Sequence, residues 1–155
     1  MSKIRIAIAS DHAGYELKEK IKQYLKDYEI IDLGAPSTES MDYPDTGFKA
    51  ALSVSRNDCS KGILICGSGI GMSIVGNKVK GIRAALCHTK EYAKLSRKHN
   101  NANVLVLAGR FISQYLAYEI IETWLKTDFE KGRHLRRINK IKKYEENGVY
   151  HDENN

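Results

Sequence analysis

Cysteine is scarce: three among 155 residues, Cys59, Cys66 and Cys87. An odd number with no close pair excludes a disulfide framework and a cysteine-built zinc site, and leaves reduced thiols. No apolar run approaches the ~20 residues of a membrane span. The first residues, Met1-Ser2-Lys3-Ile4-Arg5, lack the apolar core of a signal peptide. A cytoplasmic chain with no membrane partner is expected. There is no internal repeat, low-complexity tract or linker, so residues 1–155 read as one domain, with 149–155 a loose polar tail. No H-x-x-x-H pair and no carboxylate at ligand spacing marks a metal site.

The formal net charge is +6, with the excess concentrated between Lys126 and Lys143. Such a balance suits nucleic acid or anionic small molecules. Against nucleic acid stand the absence of aromatic interleaving and of any recognised binding motif.

Short apolar runs alternate with helical patterns. Strands are expected at 4–9, 29–33, 63–66, 82–87 and 104–108. A helix over 13–28 places Ala13, Leu17, Ile21, Tyr24, Leu25 and Tyr28 at helical spacing. A second starts near Pro44 and would bury Phe48, Ala51 and Leu52. A short helix follows Gly71. Thr89 and Ser113 can cap two more, the latter carrying the stripe Leu116, Ala117, Ile120, Ile121, Trp124 and Leu125. A basic helix spans about 133–145, with Arg133 and Arg137 one turn apart and Leu135, Ile138 and Ile141 on another face. The pattern predicts an α/β fold, a three-layer Rossmann-like sandwich with a five-stranded, mostly parallel sheet and a C-terminal basic helix.

In such sheets ligands bind beyond the carboxyl ends of the strands. Asp11 and His12, Cys66 to Gly71, His88, and Gly109 and Arg110 lie just past those ends. Gly67-Ser68-Gly69-Ile70-Gly71 has three glycines in five positions and enters a helix N-terminus, a turn that offers amides to an anion or a developing oxyanion. It lacks the Lys-Ser/Thr of a P-loop and the spacing of a dinucleotide fingerprint. Cys66 beside it reads equally well as a reactive thiol or as a buried structural one. Cys87 has no such loop and reads as structural. The arginine stripe reads as a solvated face or a phosphate clamp.

Six separated motifs carry a resemblance: Ser10-Asp11-His12-Ala13-Gly14, Asp42-Tyr43-Pro44-Asp45, Cys66-Gly67-Ser68-Gly69-Ile70-Gly71, Asn77-Lys78, Ser96-Arg97-Lys98-His99-Asn100, and Gly132-Arg133-His134 with Arg137. In this order the chain, from Ile4 to about Ile141, resembles ribose-5-phosphate isomerases of the B type, a family that also contains galactose-6-phosphate isomerase subunits. The resemblance implies interconversion of ribose 5-phosphate and ribulose 5-phosphate, in the non-oxidative pentose phosphate pathway, through an enediolate and without metal or organic cofactor. One branch of the family uses the loop cysteine as base, and another uses a glutamate after the last loop glycine. Here Cys66 is present and Met72 stands at the glutamate position, which implies the cysteine branch.

By the same resemblance, Ser68 and the amides of Gly67, Gly69 and Gly71 stabilise the enediolate. His99 opens the furanose ring with help from Asp11. Asp42 and Tyr43 line the sugar site and Asn100 holds a hydroxyl. His12 and Arg110 bind phosphate, as do Arg133 and Arg137 from the neighbouring subunit of a homodimer, or of a tetramer. A six-carbon sugar phosphate (allose 6-phosphate or galactose 6-phosphate) is the alternative substrate. A non-enzymatic phospho-ligand module or an RNA-binding domain would be the reading from another class.

Overall fold

The computed structural model describes residues 3–152, so Met1, Ser2 and the end of the expected tail, 153–155, lie outside the described residues. Five strands form one sheet: β1 (Arg5–Ser10), β2 (Glu29–Asp32), β3 (Lys61–Cys66), β4 (Ala84–Leu86) and β5 (Val104–Ala108). Their order is β2-β1-β3-β5-β4, and every pairing is parallel rather than most of them. The helices are α1 (Tyr15–Tyr24), α2 (Tyr43–Ser55), α3 (Ile70–Asn77), α4 (Lys90–Asn100), α5 (Gln114–Lys126) and α6 (Arg133–Asn147). Among the described residues, no helix is long and apolar enough to cross a membrane.

Strand alternation sorts the core into two layers. Ile6, Ile8, Ile63, Ile65, Leu105 and Leu107 face α1 and α5, where Trp124 is fully buried. Ala7, Ala9, Leu64, Cys66, Val104 and Val106 face α2 and α3. Small residues on this second face let α2 lie close: a Cβ on Gly62 would already meet Val54 at 3.1 Å. The caps expected at Thr89 and Ser113 form, accepting from the amides of Tyr92 and Leu116.

Three expectations need correction. The first helix is shorter than 13–28: His12–Gly14 is a separate 3-10 turn, and α1 ends at Tyr24, half exposed. Phe48 is 39% exposed, because α2 turns Ala50, Ala51 and Val54 to the sheet instead. On α6 only His134 and Ile138 are buried, while Leu135 and Ile141 are exposed. That helix packs on α4 and keeps an apolar flank in solvent.

Periodicity gives no sign of Lys18, fully buried on α1. Its Nζ donates to Asp32 at 2.7 and 2.9 Å and to Glu19 at 3.0 Å. Asp32 in turn accepts from the Gly34 amide, whose carbonyl receives the Ser10 amide at 2.7 Å. Burial raises the Asp32 pKa, but Lys18, Lys22 and the Gly34 amide outweigh it and hold the carboxyl below its usual range. The resulting stability is complete above the unfolded-state value of about 4 and is lost as pH falls through the lower folded value. Asp32→Asn is expected to cost ~3 kcal/mol, because the buried Lys18 would keep Glu19 as its only anionic partner. Urea unfolding between pH 3 and pH 7 (roughly the carboxylate range) checks this: the variant should lose both stability and part of the acid slope.

Candidate active site

The chain leaves β1 toward β2 on one side and reaches β3 on the other, so a crevice opens between β1 and β3 at their carboxyl ends. Asp11 and His12 stand on one wall, Cys66 on the other. The Asp11 amide donates to Ile65 O at 3.2 Å, and Asp11 Oδ1 accepts the Gly14 amide at 3.1 Å, which closes the 3-10 turn. Gly14 is obligatory here, since a Cβ would lie 2.7 Å from Ile65. His12 Nδ1 accepts the Met41 amide at 3.2 Å. That contact leaves the ring proton on Nε2, free to donate.

Cys66 ends β3 on the α2–α3 face and is 4% exposed. The turn after it is held to β5 by Gly109 N–H to Cys66 O (2.8 Å) and Arg110 N–H to Gly67 O (3.0 Å). Gly69 adopts φ +77°, and a side chain there would run into Leu86 and Leu107. The amides of Gly67, Ser68 and Gly69 make no turn or cap hydrogen bond among the described residues. The Ile70 amide is already spent on Ser68 Oγ at 3.2 Å. Ser68 thus caps the turn and takes up the Ile70 amide, while the Gly71 amide, like those of Gly67 to Gly69, makes no turn or cap hydrogen bond among the described residues.

Two side chains close the turn. A Cβ on Gly67 would sit 3.3 Å from the Arg110 guanidinium stem, and one on Gly71 would strike the Tyr43 ring at 2.7 Å. Arg110 and Tyr43 therefore lie directly against loop glycines. Asp42 precedes α2 with its carboxylate unused as a cap. Ser68, Ile70, His88, Phe111, Ile112 and Leu116 line an open cleft of about 450 Å³ beside the loop. Met72 is fully buried, packed where Gly47 of α2 has no side chain.

His99 and Asn100 do not join this group within the chain. They end α4, which runs antiparallel to the strands and delivers them to the amino edge of the sheet. There Asn103 O accepts the Gly62 amide, at the start of β3. Gly62 and Cys66 are four positions apart on β3, about 13 Å at strand rise. Arg133 and Arg137 lie on the same side as His99, exposed on the first turns of α6, which packs against α4. An open groove of about 910 Å³ lined by Gly132, Arg136, Arg137, Lys140 and Lys143 runs along the same helix. Of the fourteen residues expected in the site, ten stand together at the carboxyl edge; the other four form a second cluster at the opposite edge.

Sequence reasoning missed the middle of that second cluster. The rings of His99 and His134 stack at 4.3 Å with 13° between planes. His134 Nε2 lies 3.7 Å from Glu130 Oε2. Packing against the body, then the charges of His99, Arg133 and Arg137, push the His134 pKa below its ordinary value. The signal was present: Glu130 and His134 are four residues apart, a carboxylate at ligand spacing that the expectation of no metal pattern overlooked. Cys87 is the opposite case. Burial pushes its thiol up to about 11, as suits a structural residue.

A doubly wound parallel sheet with an amide-rich turn, a thiol and cationic side chains at its switch point defines a Rossmann-like α/β protein with a polar crevice at the carboxyl edge of the sheet. The family model for ribose/galactose isomerases matches residues 6–141. A putative sugar phosphate isomerase of Bacillus subtilis is 47% identical over 149 residues, covering 94% of this chain and all of that protein. Among solved structures, ribose-5-phosphate isomerase B of Clostridium thermocellum matches with TM-score 0.92 and 48% identity, over 94% of this chain and 100% of its own. Ribose-5-phosphate isomerase B from Mycoplasma genitalium with bound ribulose-5-phosphate matches with TM-score 0.90 and 44% identity, over 95% and 99%. The chain belongs to the ribose/galactose isomerase family.

Proposed function

We propose that this chain interconverts ribose 5-phosphate and ribulose 5-phosphate with Cys66 as the base. The observation that carries the reading is the crevice itself: a thiol on the α3 face, an open amide row next to it, and Arg110 and Tyr43 against the loop glycines. The Cys66 thiolate removes the proton from C2 of the open-chain aldose. The electron pair moves into the C1–C2 bond and the aldehyde oxygen takes the negative charge. The amides of Gly67, Ser68 and Gly69 stabilise that charge as it develops. Returning the proton to C1, with transfer of the C2 hydroxyl proton to the first oxygen, yields the ketose. Atoms and electrons balance with no redox partner. Phosphate held by His12 Nε2–H and Arg110 supplies binding energy remote from the reacting carbons.

The site is shared. His99 for ring opening, Asn100 for a hydroxyl and Arg133 and Arg137 for phosphate reach a Cys66 crevice in a second copy of the chain. Two observations support this. The two clusters lie at opposite edges of one sheet, too far apart to act together. Leu135, Ile141 and Tyr144 on α6 and Ile70 and Ile74 on α3 expose apolar surface next to them, as an interface requires. The homodimer is then the smallest active unit, and residues 1–155 act as one domain around a single sheet. Residence in the cytoplasm belongs to the same reading, supported by three unpaired thiols.

The test is turnover of ribose 5-phosphate, allose 6-phosphate and galactose 6-phosphate in the presence of chelator. Conversion of the pentose fastest is expected; conversion of a hexose phosphate alone would overturn the substrate assignment. Arg137→Ala is expected to raise KM by at least ~10-fold, the loss of one charged phosphate contact, with a smaller fall in kcat. An unchanged KM would remove Arg137 from the phosphate site.

A further inference from the structure

We propose that His99, Glu130 and His134 form a binding site for a zinc-class divalent cation, and that its occupancy withdraws His99 from ring opening. The second half rests on the function proposed above; the first does not.

One donor atom from each residue lies within 4.8 Å of the other two. The three come from differently anchored pieces of backbone. His99 is in the last turn of α4 and His134 in the first turn of α6. Glu130 lies between, where its amide donates to Lys98 O at 3.1 Å and ties the connection before α6 to the end of α4. His134 is 6% exposed and serves as the fixed ligand. His99 is half-buried and Glu130 exposed, so both side chains can rotate inward. Tetrahedral zinc, with nitrogen and oxygen ligands at about 2.0–2.2 Å, needs donors ~3.4 Å apart. The 3.7 Å between His134 and Glu130 is nearly there already.

The donor set selects the metal. Two imidazoles and one carboxylate suit zinc, cobalt or nickel and leave a fourth position for water. Magnesium and calcium prefer oxygen ligands throughout and are not matched. The surroundings limit affinity. Lys98 Nζ lies 3.5 Å from Glu130 and competes for its carboxylate, and Arg133 and Arg137 add positive charge on the same turns. Binding in the micromolar range is expected, weaker than a structural zinc site. The proposed isomerisation uses neither Glu130 nor His134, whereas a metal on His99 takes up one of its ring nitrogens and fixes the ring toward Glu130 and His134. The cation would therefore inhibit, and would pin α4 to the helix that carries the phosphate arginines.

The experiment uses the full chain, freed of metal by chelator and then titrated with zinc chloride by calorimetry, with cobalt(II) as a visible-absorption probe. The expected result is one ion per chain with a tetrahedral cobalt spectrum. Binding should weaken by at least ~10-fold in Glu130→Gln and in His134→Asn, and be unchanged in Cys66→Ala. Ribose 5-phosphate turnover should fall over the same zinc concentrations and return with chelator. Glu130→Gln, which touches no substrate, should match the parent in chelator and resist zinc. No saturable binding, or binding lost in Cys66→Ala and retained in Glu130→Gln, would overturn the site. Binding at these residues with turnover undiminished would uphold the cation site and overturn the role given to His99.

Discussion

Cys66→Ala is expected to leave a folded, assembled protein whose kcat is lower by ~10²–10⁴-fold, the span a positioned general base contributes. KM should change little, because His12 and Arg110, the phosphate donors of the proposed reading, stand past the ends of other strands. The stability cost should be about 1 kcal/mol, as for a small buried truncation. Circular dichroism and thermal melting establish the fold, and steady-state kinetics read the loss. The position that carries the base in the other branch of the family cannot take over. In the glutamate branch the residue after the last loop glycine does this work, but here that residue is Met72, with no proton to exchange and its side chain fully buried beneath α2. Cys87→Ala is the matched control. Its thiol, pushed up to about 11 by burial, donates to Ala85 O at 3.6 Å and faces the α1–α5 layer. Turnover should survive there. Near-parent activity in Cys66→Ala would end its assignment as base.

The carboxyl-edge half of the site was legible because it depends on chain order alone. Short apolar runs fix the strands, glycines mark the turns, and residues following each strand must gather at one edge; Asp11, Cys66 and Arg110 do so. The fates of Phe48, Leu135 and Ile141 were not legible, since helical spacing names an apolar face without saying what covers it. Lys18 was hidden because its partner Asp32 belongs to another element. The position of His99 could have been deduced. A helix between parallel strands returns to the amino edge, so a residue at its C-terminus cannot meet a thiol at the carboxyl edge of the same sheet. The stacked His99–His134 pair needed the packing of α6 on α4, which no local pattern encodes.

On the proposed reading, that separation means that one chain holds two half-sites and no whole one. Cys66→Ala spoils the half at the carboxyl edge, and His99→Asn the half at the amino edge. Each homodimer alone should be nearly inactive, His99→Asn by ~10²-fold or more as a lost acid–base group. In a two-fold dimer built from both variants, one of the two sites carries both lesions and the other carries neither. Random reassortment makes half of all dimers mixed, so about a quarter of the sites are intact.

Unfolding the two variants together in denaturant, refolding the mixture and measuring ribose 5-phosphate turnover tests this directly. Recovery of roughly a quarter of the parent activity from two inactive proteins is the predicted result. A mixture no more active than its components, with mixed dimers verified by mass, would contradict the shared site and return His99 to the chain that carries its own Cys66.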